Sequence, residues 1–405
     1  MGGQLVPSAF VSGQINTAIA NSSWIRRMFE EGVTLREKLG AENVFDLSIG
    51  NPVLEPPQKF RDNLKKLAAN PPPGIHRYMS NAGFPDAREE VAGYISGSHG
   101  IKVAADDVVL TCGAAGASNI FMRTVLEPGD EVIVLPPYFV EYGAYVSQHG
   151  GRIVPVPTDD KFMPDLDAIR AAITAKTRAI ILNSPNNPTG VIYPKDIYAK
   201  LGNILRDASE KQGRPVFMIS DEPYRRLAFD DVEIGSVLTS YENAIVMSSF
   251  SKDLGLAGER IGFVTPTPLM SKEARQTLVN GLIMTNRTLG YLNAPAIIQK
   301  AIIGATGQTV DMDWYRERRD MLYSGLVDCG LDVVRPQGAF FAFPKTPAGV
   351  DDMEFTAKLK EEGVLVVPGR GFGRANHVRL SYVAEKKTLE KALNKIQGVI
   401  RGLKK

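Results

Sequence analysis

Residues 108–156 read VVLTCGAAGASNIFMRTVLEPGDEVIVLPPYFVEYGAYVSQHGGRIVPV. Three apolar runs stand out, at 108–111, 131–135 and 152–156, each too short for a helix and rich in β-branched residues. Between them, 118–126 and 139–149 carry the spacing of helices. Strands alternating with helices imply a largely parallel sheet, because a parallel pair needs a long crossover connection.

The pattern extends outward from this stretch. Runs 179–182, 216–220, 244–248 and 260–264 read as four more buried strands, and 166–173 and 196–212 as helices. The expectation is an α/β fold: a large domain with a mostly parallel seven-stranded sheet flanked by helices. The last two runs follow one another without a helix, so the alternation breaks there. Segments 268–285, 292–303 and 314–329 read as further helices. From Leu331 the order becomes strand, strand, helix, strand, strand, helix, at 332–335, 339–343, 353–361, 364–367, 377–382 and 387–404. That describes a smaller α+β unit. Helix 23–39 and run 44–49 precede the sheet, and the sequence leaves open which unit they join. At 405 residues two domains are the default. The division expected is 1–58 as an N-terminal segment contributing to the small domain, 59–317 as the large domain and 318–405 as the C-terminal small domain.

Composition narrows the function. Lys and Arg total 47 against 45 Asp and Glu, with no basic block, so nucleic acid and acidic membranes lack their electrostatic footprint. Two cysteines, Cys112 and Cys329, exclude a disulfide scaffold and fit a reducing compartment. Four scattered histidines without metal-ligand spacing point away from a metal site. No apolar run approaches the ~18 residues of a membrane span, and the first residues lack the order of a signal peptide. A cytoplasmic protein that binds neither nucleic acid nor membrane is expected.

In an open parallel sheet a ligand sits outside the carboxyl ends of the strands. Those ends carry the polar and small residues here. Run 108–111 passes into Cys112-Gly113-Ala114-Ala115-Gly116-Ala117 and then a helix. Small residues admit an anion to the backbone, where free N–H groups and the helix dipole favour phosphate; alone, the segment also reads as a tight turn. Run 179–182 passes into Asn183-Ser184-Pro185-Asn186-Asn187-Pro188-Thr189-Gly190, and run 216–220 into Asp221-Glu222-Pro223-Tyr224. Run 244–248 passes into Ser249-Phe250-Ser251-Lys252, with Gly258-Glu259-Arg260 soon after. Singly, Asn187 would cap a turn, Asp221 a helix, and Lys252 would be a solvated lysine. Falling together at strand ends of one sheet, they suit a phosphorylated aldehyde cofactor held by the lysine.

Ser249-Phe250-Ser251-Lys252 followed by Gly258-Glu259-Arg260-Ile261-Gly262 resembles the cofactor-lysine signature of class I/II pyridoxal-phosphate-dependent aminotransferases, the aspartate aminotransferase-like fold type I. Asn187-Pro188-Thr189-Gly190, Asp221-Glu222-Pro223-Tyr224, Gly338-Ala339-Phe340-Phe341, Pro368-Gly369-Arg370-Gly371-Phe372-Gly373 and Arg379-Leu380-Ser381 are similar to family motifs and fall in family order.

The resemblance implies pyridoxal 5'-phosphate as cofactor. Lys252 would carry it covalently and then move the proton at the substrate α-carbon. Asp221 would pair with the ring nitrogen, and Tyr224 and Asn187 would donate to the ring's phenolate oxygen. Ser249, Ser251, Arg260 and the backbone of Ala114 and Ala115 would hold the phosphate, and Tyr138 would stack on the ring. Arg379, with Asn187 and the Gly50 backbone, would clamp the substrate α-carboxylate. Tyr78 is similar to the family tyrosine that reaches the neighbouring subunit's phosphate, which implies a homodimer with shared active sites. The implied activity moves an amino group between an L-amino acid and a 2-oxo acid, with 2-oxoglutarate as default acceptor. A carbon–sulfur or carbon–nitrogen lyase on the same fold is the alternative. Arg287 falls next to the place of the arginine that reads a distal carboxylate in the dicarboxylate-specific branch, so the donor stays open.

Overall fold

The computed structural model describes residues 10–20 and 24–403. The first nine residues, which bear on a signal peptide, lie outside these, as do Ser23 and Lys404 at the ends of two expected helices. Counting from β1 (Phe45–Asp46), the seven expected strands are β2 (Val109–Thr111), β3 (Glu131–Val134), β4 (Arg152–Pro155), β5 (Thr177–Asn183), β6 (Phe217–Asp221), β7 (Ala244–Ser249) and β8 (Gly262–Pro266). They form one sheet in the order β2-β8-β7-β6-β5-β3-β4. β4, β3, β5, β6 and β7 pair in parallel, while β8 lies antiparallel between β7 and β2. This is the break seen in the sequence: with no crossover helix after β7, the chain turns and β8 returns beside it.

Alternate residues on each strand point to opposite faces. Leu110, Ile133, Ile180, Met218, Val246 and Phe263 bury on one side with the helices Pro85–His99 and Lys195–Gln212. Val109, Val132, Ile181, Ile219, Met247 and Val264 bury on the other under the helices Gly113–Val125 and Lys272–Thr288. Burial on both faces is why these strands read as continuous apolar runs.

Some elements differ from expectation. The helix expected from residue 118 starts at Gly113, so the glycine-rich segment is its first turn. The helix expected at 139–149 contracts to Tyr142–Ser147. No strand forms at 332–335; the next residue, Pro336, has no N–H to continue a ladder. The run 364–367 divides into β10 (Val364–Leu365), which pairs in parallel with β1, and β11 (Val367–Pro368). β11 and β9 (Phe341–Ala342) flank β12 (Val378–Ser381) in an antiparallel sheet.

The pairing of β1 with β10 answers the question left by the N-terminal segment, which packs on the C-terminal unit. Glu31 bonds Lys360 at 2.9 Å across the same contact. A second core gathers Phe45, Leu322, Phe340, Phe355, Val364 and Leu380. The helix Met312–Asp328 runs unbroken past residue 317 and adds Tyr315 and Leu326 to that core. Among the described residues, no helix is long and apolar enough to cross a membrane, and no cluster of His, Cys, Asp and Glu has the makings of a metal site.

Candidate active site

The crest of the sheet is set by register. Gly262 pairs with both Thr111 and Ser249, and Asn183 pairs with Asp221, so the ends of β2, β5, β6 and β7 line up along one edge. Above them lies a cavity of ≈ 210 Å³.

One end of this cavity is built for an anion. Ala114 and Ala115 line it from the first turn of helix Gly113–Val125, whose N-cap, Cys112, offers no side-chain hydrogen bond. The leading N–H groups therefore keep their capacity to bind, and the helix dipole adds positive potential. Arg260 lies across this helix start, donating from Nη1 to Ala257 O at 3.1 Å and from Nη2 to Cys112 O at 3.3 Å. A Cβ on Gly113 would stand 2.7 Å from Arg260 Nη2, and the backbone there has φ 73°, so only glycine fits. Ser249 and Ser251, both buried, complete the wall with hydroxyls.

Elsewhere the cavity presents a carboxylate. Asp221, at the end of β6, is buried, and its Oδ2 accepts from Tyr142 OH at 2.5 Å while Oδ1 has no partner. Burial pushes its carboxyl up to about 6, the Tyr142 hydrogen bond pulling the other way and the Glu222 charge adding to the rise. A buried carboxylate with a free oxygen is left short of a donor, and a cationic N–H suits it. Asn183 steadies this strand end, donating to Asp221 O at 2.8 Å and accepting from Asn187 N at 2.7 Å. Burial raises the Tyr224 phenol, which stays a neutral donor.

Lys252 follows β7 and lines the same cavity, its Nζ donating to Gly50 O at 2.8 Å. Burial, then the charges of Arg379 and Arg260, pull its amine down to about 8. Arg379 on β12 is 2% exposed; it donates from Nη1 to Asn187 Oδ1 at 3.1 Å and from Nη2 to Ser48 O at 2.5 Å, and leaves Nε without a partner. Its guanidinium carbon lies 4.4 Å from the Phe341 ring centroid and 4.9 Å from that of Phe372. Arg379 and Lys252 thus join the two units beside the cavity, through Ser48, Gly50 and Asn187.

The fold brings Ala114, Ala115, Asn187, Asp221, Tyr224, Ser249, Ser251, Lys252 and Arg260 around one space, with Gly50 and Arg379 bonded to its edge. Two expected residues stand apart. Tyr138 turns away, its ring edge near Gly373 and its N–H on Phe372 O, and Phe139 lines the cavity in its place. Tyr78 is 90% exposed and lines no part of this chain's cavity. Phe139, Tyr142 and Tyr145 recur every third residue, a helical spacing legible in the sequence. Phe139 and Tyr145 reach the cavity wall, and Tyr142 holds Asp221 from behind it.

A parallel-sheet crest with an anion cradle, a buried carboxylate and a lysine of lowered pKa defines a class of cofactor-dependent enzyme. Residues 42–396 match the family described as aminotransferase class I and II, and the chain belongs to that family and is an aminotransferase. The aspartate/prephenate aminotransferase of Thermus thermophilus is 32% identical over 359 residues, covering 87% of this chain and 90% of that one. An aminotransferase structure from Eubacterium rectale superposes with a TM-score of 0.92 at 36% identity, over 98% of this chain and 100% of the other. The structure of Thermus thermophilus aspartate aminotransferase with maleate gives 0.84 at 30% identity, over 93% and 97%. The family uses pyridoxal phosphate. The residues fit that group: the free Asp221 Oδ1 matches a pyridinium N–H, and the uncapped helix start with Arg260 matches a phosphate.

Proposed function

We propose that this chain transfers the amino group of an L-amino acid to a 2-oxo acid, 2-oxoglutarate being the default acceptor, with pyridoxal 5'-phosphate in the cavity above β2, β5, β6 and β7. The cofactor, when bound, supplies an aldehyde for the amino group and a ring that accepts electrons from the substrate α-carbon. The helix start at Ala114 and Ala115, Ser249, Ser251 and Arg260 hold the phosphate, Arg260 through paired N–H donors. Asp221 keeps the ring nitrogen protonated, and Tyr224 and Asn187 donate to the phenolate oxygen. Phe139 covers the ring. Lys252 anchors the cofactor and, once released, takes the proton from the substrate α-carbon and returns it. Its lowered pKa supports that role, since only the neutral amine is a nucleophile or base. Arg379 orients the substrate through its α-carboxylate, its unpartnered Nε being ready for one oxygen.

The observation that carries this reading is the joint lining of one cavity by an uncapped helix start, a half-bonded buried carboxylate and Lys252. The working unit proposed is a cytoplasmic homodimer in which Tyr78 completes the partner's phosphate site. Incubation with single amino acids and no oxo acid tests the reaction: bound cofactor should convert once to the pyridoxamine form and stop, whereas a lyase would continue. Run as a panel, the same assay names the donor.

A further inference from the structure

Asp352 is fully buried yet lines no part of the cavity, and the steps above leave it without a task. It opens the helix Asp352–Glu361, whose N-cap is the preceding Asp351, accepting from Glu354 N at 2.8 Å. With the cap filled, Asp352 serves the loop 369–376 between β11 and β12. Its Oδ2 accepts from Arg370 N at 2.8 Å, and its Oδ1 from Arg370 Nη2 at 2.8 Å and Nε at 3.1 Å. Burial alone would raise this carboxyl, but the Arg370 side chain and backbone, with a hydrogen bond from the Asn376 backbone, hold it below the usual range. The loop also closes on itself, Gly369 N bonding His377 O at 2.7 Å and Arg374 N bonding Gly369 O at 3.1 Å.

Two parts of this loop meet the site. The Phe372 ring, fully buried, has its centroid 4.9 Å from the Arg379 guanidinium carbon and sits edge-on to Phe343, centroids 6.0 Å apart. With Phe341 at 4.4 Å, Arg379 has an aromatic ring on two sides, which holds a guanidinium in orientation as well as in place. The loop backbone faces the large unit: Phe372 O accepts from Tyr138 N at 3.1 Å, and a Cβ on Gly373 would stand 3.1 Å from Tyr138 Cε1. Arg374 donates to Thr158 O at 3.3 Å and to Asp160 Oδ1 at 3.1 Å, and Thr158 Oγ1 donates to Pro136 O at 2.6 Å. The loop thus grips the chain from Pro136 to Tyr138, and the next residue is Phe139 in the cavity wall. Tyr138, turned away from the cavity, seats the small unit against the segment that carries Phe139.

We propose that Asp352 is a positioning residue for both halves of the site: it fixes loop 369–376 so that Phe372 orients Arg379 towards the substrate while the loop backbone holds Phe139 over the cofactor. This rests on Arg379 clamping the substrate carboxylate and Phe139 covering the ring. Two constants test it at one pH. Single-turnover reaction of the pyridoxamine form with 2-oxoglutarate, followed by absorbance, gives a half-saturation and a limiting rate. Equilibrium dialysis of pyridoxal phosphate against the cofactor-free enzyme gives a cofactor affinity. Phe372→Leu keeps an apolar side chain but removes the ring, so half-saturation should rise about threefold or more with the limiting rate and cofactor affinity nearly unchanged. Gly373→Ala puts a Cβ against Tyr138 at a backbone φ of 80°, so cofactor affinity should fall about threefold or more with half-saturation nearly unchanged. Asp352→Asn turns one acceptor oxygen into a donor facing Arg370, so both constants should worsen together.

That split between the loop variants supports the proposal, whereas lowered Tm with both constants unmoved, the signature of packing alone, overturns it. If Asp352→Asn does not fold, Phe372→Leu and Gly373→Ala still decide. Arg379→Lys and Phe139→Leu separate this inference from the reading beneath it. If Arg379→Lys leaves half-saturation unmoved, or Phe139→Leu leaves cofactor affinity unmoved, that role falls and this inference with it. If both respond while the loop variants do not, this inference alone falls.

Discussion

Lys252 shows how a single residue acquires its chemistry from burial. Its amine is pulled down to about 8 by burial, Arg379 and Arg260, so the neutral, reactive form gains as pH rises to that value. Capture of pyridoxal phosphate by the cofactor-free enzyme should accelerate about tenfold per pH unit below about 8 and level off above it, as followed by absorbance. Lys252→Ala should still bind the cofactor, but borohydride should no longer fix it to the protein; trapping on another lysine would refute the assignment. Tyr142→Phe tests the support of Asp221. The Tyr142 hydrogen bond favours the ionised carboxylate, so its loss should raise the Asp221 pKa beyond about 6 and weaken cofactor binding at neutral pH, measured by equilibrium dialysis. At this scale the sequence was most legible where a residue ends a strand: Asp221 and Ser249 follow from the strand-end rule, and Asn187 from the loop just past β5. Tyr138 and Phe139 lie past the end of β3, where alternation no longer says which of two adjacent aromatics faces inward.

Among the elements, β8 and the start of helix Gly113–Val125 meet closely enough to constrain the site. A Cβ on Gly262 would stand 2.6 Å from both Gly113 C and Ser248 O, backbone atoms that cannot rotate away. Gly262→Ala should therefore push β8 off the helix start, costing about 1–3 kcal/mol of overpacking in urea denaturation. The same displacement should weaken phosphate binding, because Gly113 carries the cradle. The sheet strands were readable because burial on both faces makes each one a continuous apolar run. Helix Pro85–His99 was not, since Gly93, Ser96, Gly97 and Ser98 dilute the apolar periodicity around Val91 and Ile95. The small unit's strands were only partly readable. Pairs as short as β10 and β11 belong to different sheets, and only their distant partners, β1 and β12, decide that.

For the whole molecule the open question is what Tyr78 does. Its ring is 90% exposed, yet its loop is fixed from inside: the buried Asn286 donates to Asn81 O at 2.8 Å and to Leu292 O at 3.2 Å, and Asn81 donates to Leu292 O at 3.0 Å. A held loop that projects an aromatic ring suits a task on another subunit better than packing in its own. Hybrid dimers test this. A Tyr78→Phe chain and a Lys252→Ala chain can be mixed, unfolded and refolded together. If sites are shared, the hybrid has one site with the intact lysine of the first chain and the intact tyrosine of the second, and its other site carries both lesions. Fully normal sites should then appear in the mixture although neither parent has one, with kcat and cofactor affinity both restored in that fraction. If Tyr78 serves its own subunit, every intact Lys252 remains beside Phe at position 78. Only the kinetics of the Tyr78→Phe parent would then be seen, and the shared-site homodimer would be refuted.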